Sequence, residues 1–198
     1  MSERFSNLTK IPDVPAAKML ADANIRLKTP LDAPASAKAS VVLAELDAKD
    51  AWVDMLILLG VILPGRERVW WACLAARDYI GPKSDADPLP LTVAETWVFK
   101  PNEDNRDPFA RRWTMPCQMT IRCIAPARPY SQTALWGRAT QRNIPLPGAA
   151  ALSAYAMNMV ALGKLSDKFE QHKTVLIDRA LDIARGGNGR IAPKAKEA

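Results

Sequence analysis

Residues 63–81 read Leu-Pro-Gly-Arg-Glu-Arg-Val-Trp-Trp-Ala-Cys-Leu-Ala-Ala-Arg-Asp-Tyr-Ile-Gly. Pro64-Gly65 makes a sharp start and Gly81-Pro82 a stop. Between them Val69, Cys73, Ala76 and Ile80 recur at helical spacing, with Trp70, Leu74 and Arg77 on the adjoining strip and Trp71 on the flank. A helix apolar around more than half its circumference belongs at the centre of a fold. Upstream, Met55 to Leu63 is a run of nine apolar residues between Asp54 and Pro64, about half of what a bilayer span requires. It reads as a buried helix that starts near Asp47 to Asp50, where acidic groups favour the positive helix terminus. Two apolar helices joined by so short a turn pack as an antiparallel hairpin.

Working outward, Pro15 suits a first helical position, and Ala16 to Leu27 has the periodicity of a short helix. Ser36 to Leu46 forms a second, with Val41, Val42 and Leu46 on its apolar side. Downstream, Thr92 with Glu95 three positions later has the capping-box pattern and predicts a helix through Trp97, Val98 and Phe99, limited by Pro101. A sixth is expected over Phe109 to Thr120, interrupted or ended by Pro116. Gly148 to Leu162 is a helix in an uncharged run, which must be largely buried or else form a sticky surface, and Ser166 to Ala184 is a last amphipathic helix stopped by Gly186-Gly187. No strand alternation or internal repeat competes with this reading. The prediction is a single all-α domain of about seven or eight helices. Its expected limits are a flexible N-terminal arm over 1–14, a helical domain over 15–186 and a disordered basic tail over 187–198.

A chain of 198 residues, 48% hydrophobic, is long enough for one sizeable core and too short for two ordinary domains. Its six tryptophans, at positions 52, 70, 71, 97, 113 and 136, are core-forming residues that argue against disorder over most of the length. The net charge of +6 is uneven: residues 1–99 carry 11 basic and 13 acidic groups, whereas 100–142 carry 8 and 3. No secretory leader follows Met1, and Cys73, Cys117 and Cys123 are odd in number and widely spaced, so a reducing cytoplasm is the expected compartment.

Three segments together resemble a known family: Arg66-Glu67-Arg68-Val69-Trp70-Trp71-Ala72-Cys73-Leu74-Ala75-Ala76-Arg77, then Trp97-Val98 with Pro101 to Arg106, then Leu181-Asp182-Ile183-Ala184-Arg185-Gly186. In that order and spacing they are similar to an uncharacterised bacterial family, a domain of unknown function associated with gene neighbourhoods of type VI and related secretion systems. The resemblance spans about residues 40 to 190 and assigns no catalytic or ligand residue. It implies an adaptor, chaperone or accessory subunit of a secretion or contractile apparatus. Members carry an alanine- and glycine-rich stretch between the second and third segments, where Cys117 to Pro129 here is proline- and arginine-bearing.

Adjacent helical positions point about 100 degrees apart, so Trp70 and Trp71 divide between the core and a partner-helix or surface contact rather than forming one stacking platform. Arg66 and Arg77 share the strip of Trp70 and Leu74. They could clamp a carboxylate, but Arg77 is expected to pair internally with Asp50, Asp54 or Glu95, because partly buried charges require partners. His172 lies in a charged segment with no nucleophile motif, and one His with three scattered Cys reaches no metal-ligand spacing. No catalytic, cofactor or metal site is therefore expected. Gly186 to Arg190 follows a helix instead of preceding one, so it is a helix stop and not a phosphate loop. The expected working surface is the middle of the chain, where Arg106, Arg111, Arg112, Arg122, Arg128 and Arg138 interleave with Trp113, Tyr130 and Trp136. Arginine and aromatic residues are enriched at protein interfaces, which favours an acidic protein partner. The same composition suits phosphate contacts with base stacking, so nucleic acid is the second reading, although no helix-turn-helix, zinc-finger or RNA-module signature is present.

Overall fold

The turn at Leu63-Pro64 reverses the chain between two helices, and the other elements are laid against the hairpin so formed. The structure, a computed structural model, describes residues 3–101 and 147–191. Among the described residues there are seven α-helices and no strand: α1 (Ala16–Asp22), α2 (Ala39–Ala48), α3 (Trp52–Ile62), α4 (Gly65–Ile80), α5 (Leu89–Phe99), α6 (Ala149–Lys164) and α7 (Phe169–Ala184). Single 3-10 turns occupy Glu3–Phe5 and Ser166–Lys168. The fold is all-α, as the periodicity predicts. The helix expected over Phe109 to Thr120 lies outside the described residues.

The hairpin is held at its bend by Arg68, whose guanidinium donates to the carbonyls of Val61 (2.9 Å) and Leu63 (2.8 Å) at the end of α3, where helical carbonyls have no partner of their own. Helix α3 is buried on nearly every side, through Met55, Leu56, Leu58, Leu59, Val61 and Ile62. Helix α6 crosses it closely at Gly60, with Ala151, Ala154 and Ala161 on its inner face. Helix α6 also lies along α4, which α5 and α7 flank. Trp71 is fully buried in this setting, and its Nε1 donates to the carbonyl of Leu176 on α7 at 3.0 Å. The uncharged run divides between the two outcomes its sequence allows: Met157 and Leu162 enter the core, whereas Leu152 and Val160 are exposed.

Charged residues tie these layers together. Asp54, only 3% exposed, receives the backbone N–H groups of Lys28 and Thr29 and so anchors the loop after α1. Arg77 on α4 grips Glu95 of α5 through two bonds of 2.6 and 2.7 Å and Asp87 of the preceding loop at 2.7 Å. Of the three expected partners Glu95 is the one used, and Asp87 was not among them.

One device closes three helices, two of them away from where the sequence reading ends them. Asn24 (φ +52), Asp50 (φ +49) and Gly186 (φ +97) adopt left-handed backbone immediately after α1, α2 and α7. Each is followed by a residue whose N–H returns to the last turn: Ile25 to Leu20, Ala51 to Leu46 and Gly187 to Asp182. Helix α1 therefore stops at Asp22 rather than near Leu27, and Asp50 closes α2 instead of opening α3. The capping box is also corrected. Helix α5 begins at Leu89 behind Pro88, and Thr92 bonds back to the Pro88 carbonyl while Glu95 is engaged by Arg77.

Residues 3–14, expected as a flexible arm, are laid across α2 and α7. Phe5 is 2% exposed, and Arg4 bridges Asp47 (2.7 Å) and Asp178 (2.8 Å). Lys10 donates its backbone N–H to Ala184 at 2.9 Å. Burial of one aromatic ring and a two-carboxylate grip on one arginine outweigh the polar, proline-bearing composition that suggested freedom. Among the described residues no helix is long and apolar enough to cross a membrane.

Two tests follow from this packing. Glycine to alanine inside a helix ordinarily gains up to about 1 kcal/mol in propensity. At Gly60 a Cβ would stand 2.9 Å from the Ala151 carbonyl oxygen, a backbone atom, so Gly60→Ala is expected to lower the denaturation midpoint, and a rise would refute the close α3–α6 crossing. The Arg77 hydrogen bond, the largest of the influences on it, holds the Asp87 carboxyl down at about 2. A carboxylate depressed on folding contributes stability that is complete above its unfolded value, about 3.9, and is lost as pH falls through the folded one. The stability gap between wild type and Asp87→Asn should therefore close between pH values of about 4 and 2 in urea denaturation. A gap that stays constant would remove this pair as its source.

Candidate interaction surface

Arg106, Arg111, Arg112, Trp113, Arg122, Arg128, Tyr130, Trp136 and Arg138 lie outside the described residues. What the structure places is the domain surface from which that segment departs, at Phe99 to Pro101, and to which it returns, at Pro147.

The chemical candidates of the sequence are located inside. His172 is 8% exposed because positions 172, 176 and 179 of α7 share the stripe turned toward α4. Its Nε2 stands 3.4 Å from an Asp78 oxygen without an aligned hydrogen bond, while Arg179 takes both oxygens of that carboxylate at 2.6 and 3.1 Å. Burial lowers the imidazole pKa, Asp78 opposes that, and Arg179 adds to it. Cys73 is buried, and burial, reinforced by the Glu95 charge, pushes its thiol up to about 12. A thiol so placed stays protonated and is a poor nucleophile. Among the described residues no cluster of three His, Cys, Asp or Glu side chains forms a metal cage.

Two concavities among the described residues bear on binding. The larger, about 760 Å³, lies between α7, the start of α3 and the N-terminal segment. Several of its charges pair within the protein: Arg4 with Asp47 and Asp178, and Lys173 with Glu170 at 2.7 Å. The Trp52 ring on its wall already has Phe169 edge-on at 5.5 Å and the Lys173 ammonium at 5.9 Å.

The smaller, about 230 Å³, opens beside Trp70. Because α4 commits Trp71 to the core, Trp70 is carried to the rim, where it is half-buried. Phe99, 63% exposed at the end of α5, meets it edge-on with centroids 5.4 Å apart. Its indole N–H donates to the Asn188 carbonyl at 2.7 Å, and the Arg190 guanidinium lies 5.8 Å from the ring. One turn before Trp70, Arg66 is exposed and makes no ion pair with a described residue; the nearby Lys10 is 3.7 Å from Glu67. The patch thus combines an exposed aromatic edge with Arg66, Arg190 and Lys10 set against one carboxylate, which suits a partner offering acidic groups around an apolar contact. Arg66 and Trp70 were visible in sequence as neighbours on one helical strip. Phe99 and Arg190 join them from α5 and from beyond α7, and no sequence spacing marks that meeting.

No curated protein and no solved structure matches the chain. A protein-family model described as a family of unknown function, DUF6931, matches residues 42–184, from the middle of α2 to the last residue of α7. Arg66, Trp70 and Phe99 fall within the match, and Asn188 and Arg190 lie past its end. The chain belongs to the family of unknown function DUF6931.

Proposed function

We propose that this protein is a non-enzymatic interaction module, an adaptor, chaperone or accessory subunit, that holds an acidic surface of a partner protein. The observation that carries the reading is the Trp70–Phe99 pair flanked by Arg66 and Arg190. The pair stands where the chain enters the basic segment 100–142, with 8 basic groups against 3 acidic ones. Exposed aromatics give a desolvated anchor and arginines give direction and charge recognition, the combination on which interface energy concentrates. The protonated, buried Cys73 and the unaligned His172 support a role without covalent chemistry. Service to a bacterial secretion or contractile apparatus in the cytoplasm is the finer part of the proposal, and its support is the family resemblance.

Nucleic acid is the second reading, favoured by the arginine and aromatic interleaving of residues 100–142. Affinity capture from the native host with quantitative mass spectrometry separates the two. Under the adaptor reading, Arg66→Glu combined with Phe99→Ala depletes one acidic protein by about tenfold or more, the loss expected from removing contacts worth above 1 kcal/mol. The purified wild type leaves random duplex and single strands unshifted at moderate salt. If those strands are retarded and Arg111→Glu, Arg112→Glu and Arg122→Glu abolish the shift, the acidic-partner reading falls.

A further inference from the structure

Beyond α7 the chain turns at Gly186, and residues 187–191, expected as the start of a disordered tail, instead run back along the seam between α4 and α7, where three helix side chains grip the main chain. Trp70 Nε1 donates to the carbonyl of residue 188 at 2.7 Å, and Arg179 Nε donates to the carbonyl of Gly189 at 3.0 Å. An Asp182 oxygen accepts the Gly189 N–H at 2.9 Å. Arg179 is 6% exposed and has its other two nitrogens on Asp78, so its Nε is aimed independently of the strap. Gly189 sits buried at φ +70, and a Cβ there would stand 2.7 to 2.8 Å from the Ile183 and Leu74 side chains. Arg190 follows, over the Trp70 ring.

Every one of these polar contacts runs from a helix side chain to peptide backbone. The selective elements are a tight, left-handed position that favours glycine and, next to it, an aromatic face that suits a cation. Nothing in this recognition requires that the peptide be part of the same chain. We propose that the α4–α7 seam is a binding groove for a peptide in which a left-handed glycine is followed by a basic residue, occupied in cis by Asn188-Gly189-Arg190. A partner peptide of that pattern enters by displacing the strap. This goes beyond the acidic-partner reading and does not rest on it, although displacement carries Arg190 away from Trp70 and so couples the two surfaces. Tethering sets the effective concentration of the strap at about millimolar or above, which keeps the groove closed to dilute competitors.

The test uses the full-length chain with ¹⁵N-labelled indoles and a free peptide of residues 186–191. In Gly189→Val the strap is expelled, and the Trp70 Nε1–H resonance moves to a solvent-bonded position. Added peptide restores it, binding about a hundredfold more tightly than to wild type, the low end of what tethering contributes. The same peptide with valine in place of its third glycine does not bind. An unmoved resonance up to low millimolar peptide, or equal binding of the two peptides, overturns the proposal. Should Gly189→Val fail to fold, hydrogen exchange on the wild type decides. The Gly189 amide should exchange through an opening faster than the α7 core amides, and exchange only with global unfolding overturns the proposal. Failure here, with Arg66→Glu and Phe99→Ala still releasing an acidic protein, makes the strap a fixed clasp and leaves the acidic-partner reading standing.

Discussion

The burial of Trp71 is the constraint on which the rest of the molecule depends. An indole of this size sealed among helices stabilises by several kcal/mol, since truncating such a ring costs about 3–5 kcal/mol. Its N–H must also be satisfied, and the Leu176 carbonyl does this across the α4–α7 contact. Once Trp71 points inward, helical geometry leaves Trp70 about 100 degrees away. The most exposed feature of the surface is therefore a consequence of the deepest feature of the core.

The charges inside the domain are arranged to be spent on structure. Asp54 closes a loop by receiving backbone donors, Arg77 fastens α5 to α4, and Arg179 fastens α7 to α4 through Asp78. Side chains held in such bonds fasten helices and a loop to one another. The same reasoning separates the two concavities. In the larger, Arg4 is held by Asp47 and Asp178 and Lys173 by Glu170, whereas the smaller has an exposed Arg66 beside the Trp70 ring. The proposed acidic-partner role draws on this distribution, and in the chain the basic residues 100–142 follow directly after Phe99.

The strap of residues 187–190 adds a second consequence of α7 packing against α4. Two helices that each offer a polar side chain to the same seam create a track for backbone, and the chain's own continuation lies in it. The Leu181 to Gly186 segment, legible in sequence as a helix end, serves as the hinge that sends the chain there: the left-handed Gly186 and the Gly187 N–H bond to the Asp182 carbonyl set its direction.

The amino-acid sequence by itself determined the helical class, the α3–α4 hairpin, the inward faces of α6 and α7 and that Trp70 and Trp71 face different surroundings, though not which of them enters the core. Each of these follows from a period of 3.6 residues and the free energy of burying apolar surface, which are properties of neighbouring positions. Only the tertiary structure decided the rest. Left-handed Asn24 and Asp50 ended helices that composition would have prolonged or moved, because closing the final carbonyls of a helix depends on single dihedral angles that residue type only weakly prescribes. Glu95 left its capping role for Arg77, and His172 of a charged segment stands buried beside Asp78, because pairing in three dimensions outweighs local propensity. The assembly of Arg66, Trp70, Phe99 and Arg190 into one patch was decided there as well, since it joins residues up to 124 positions apart that no local period relates.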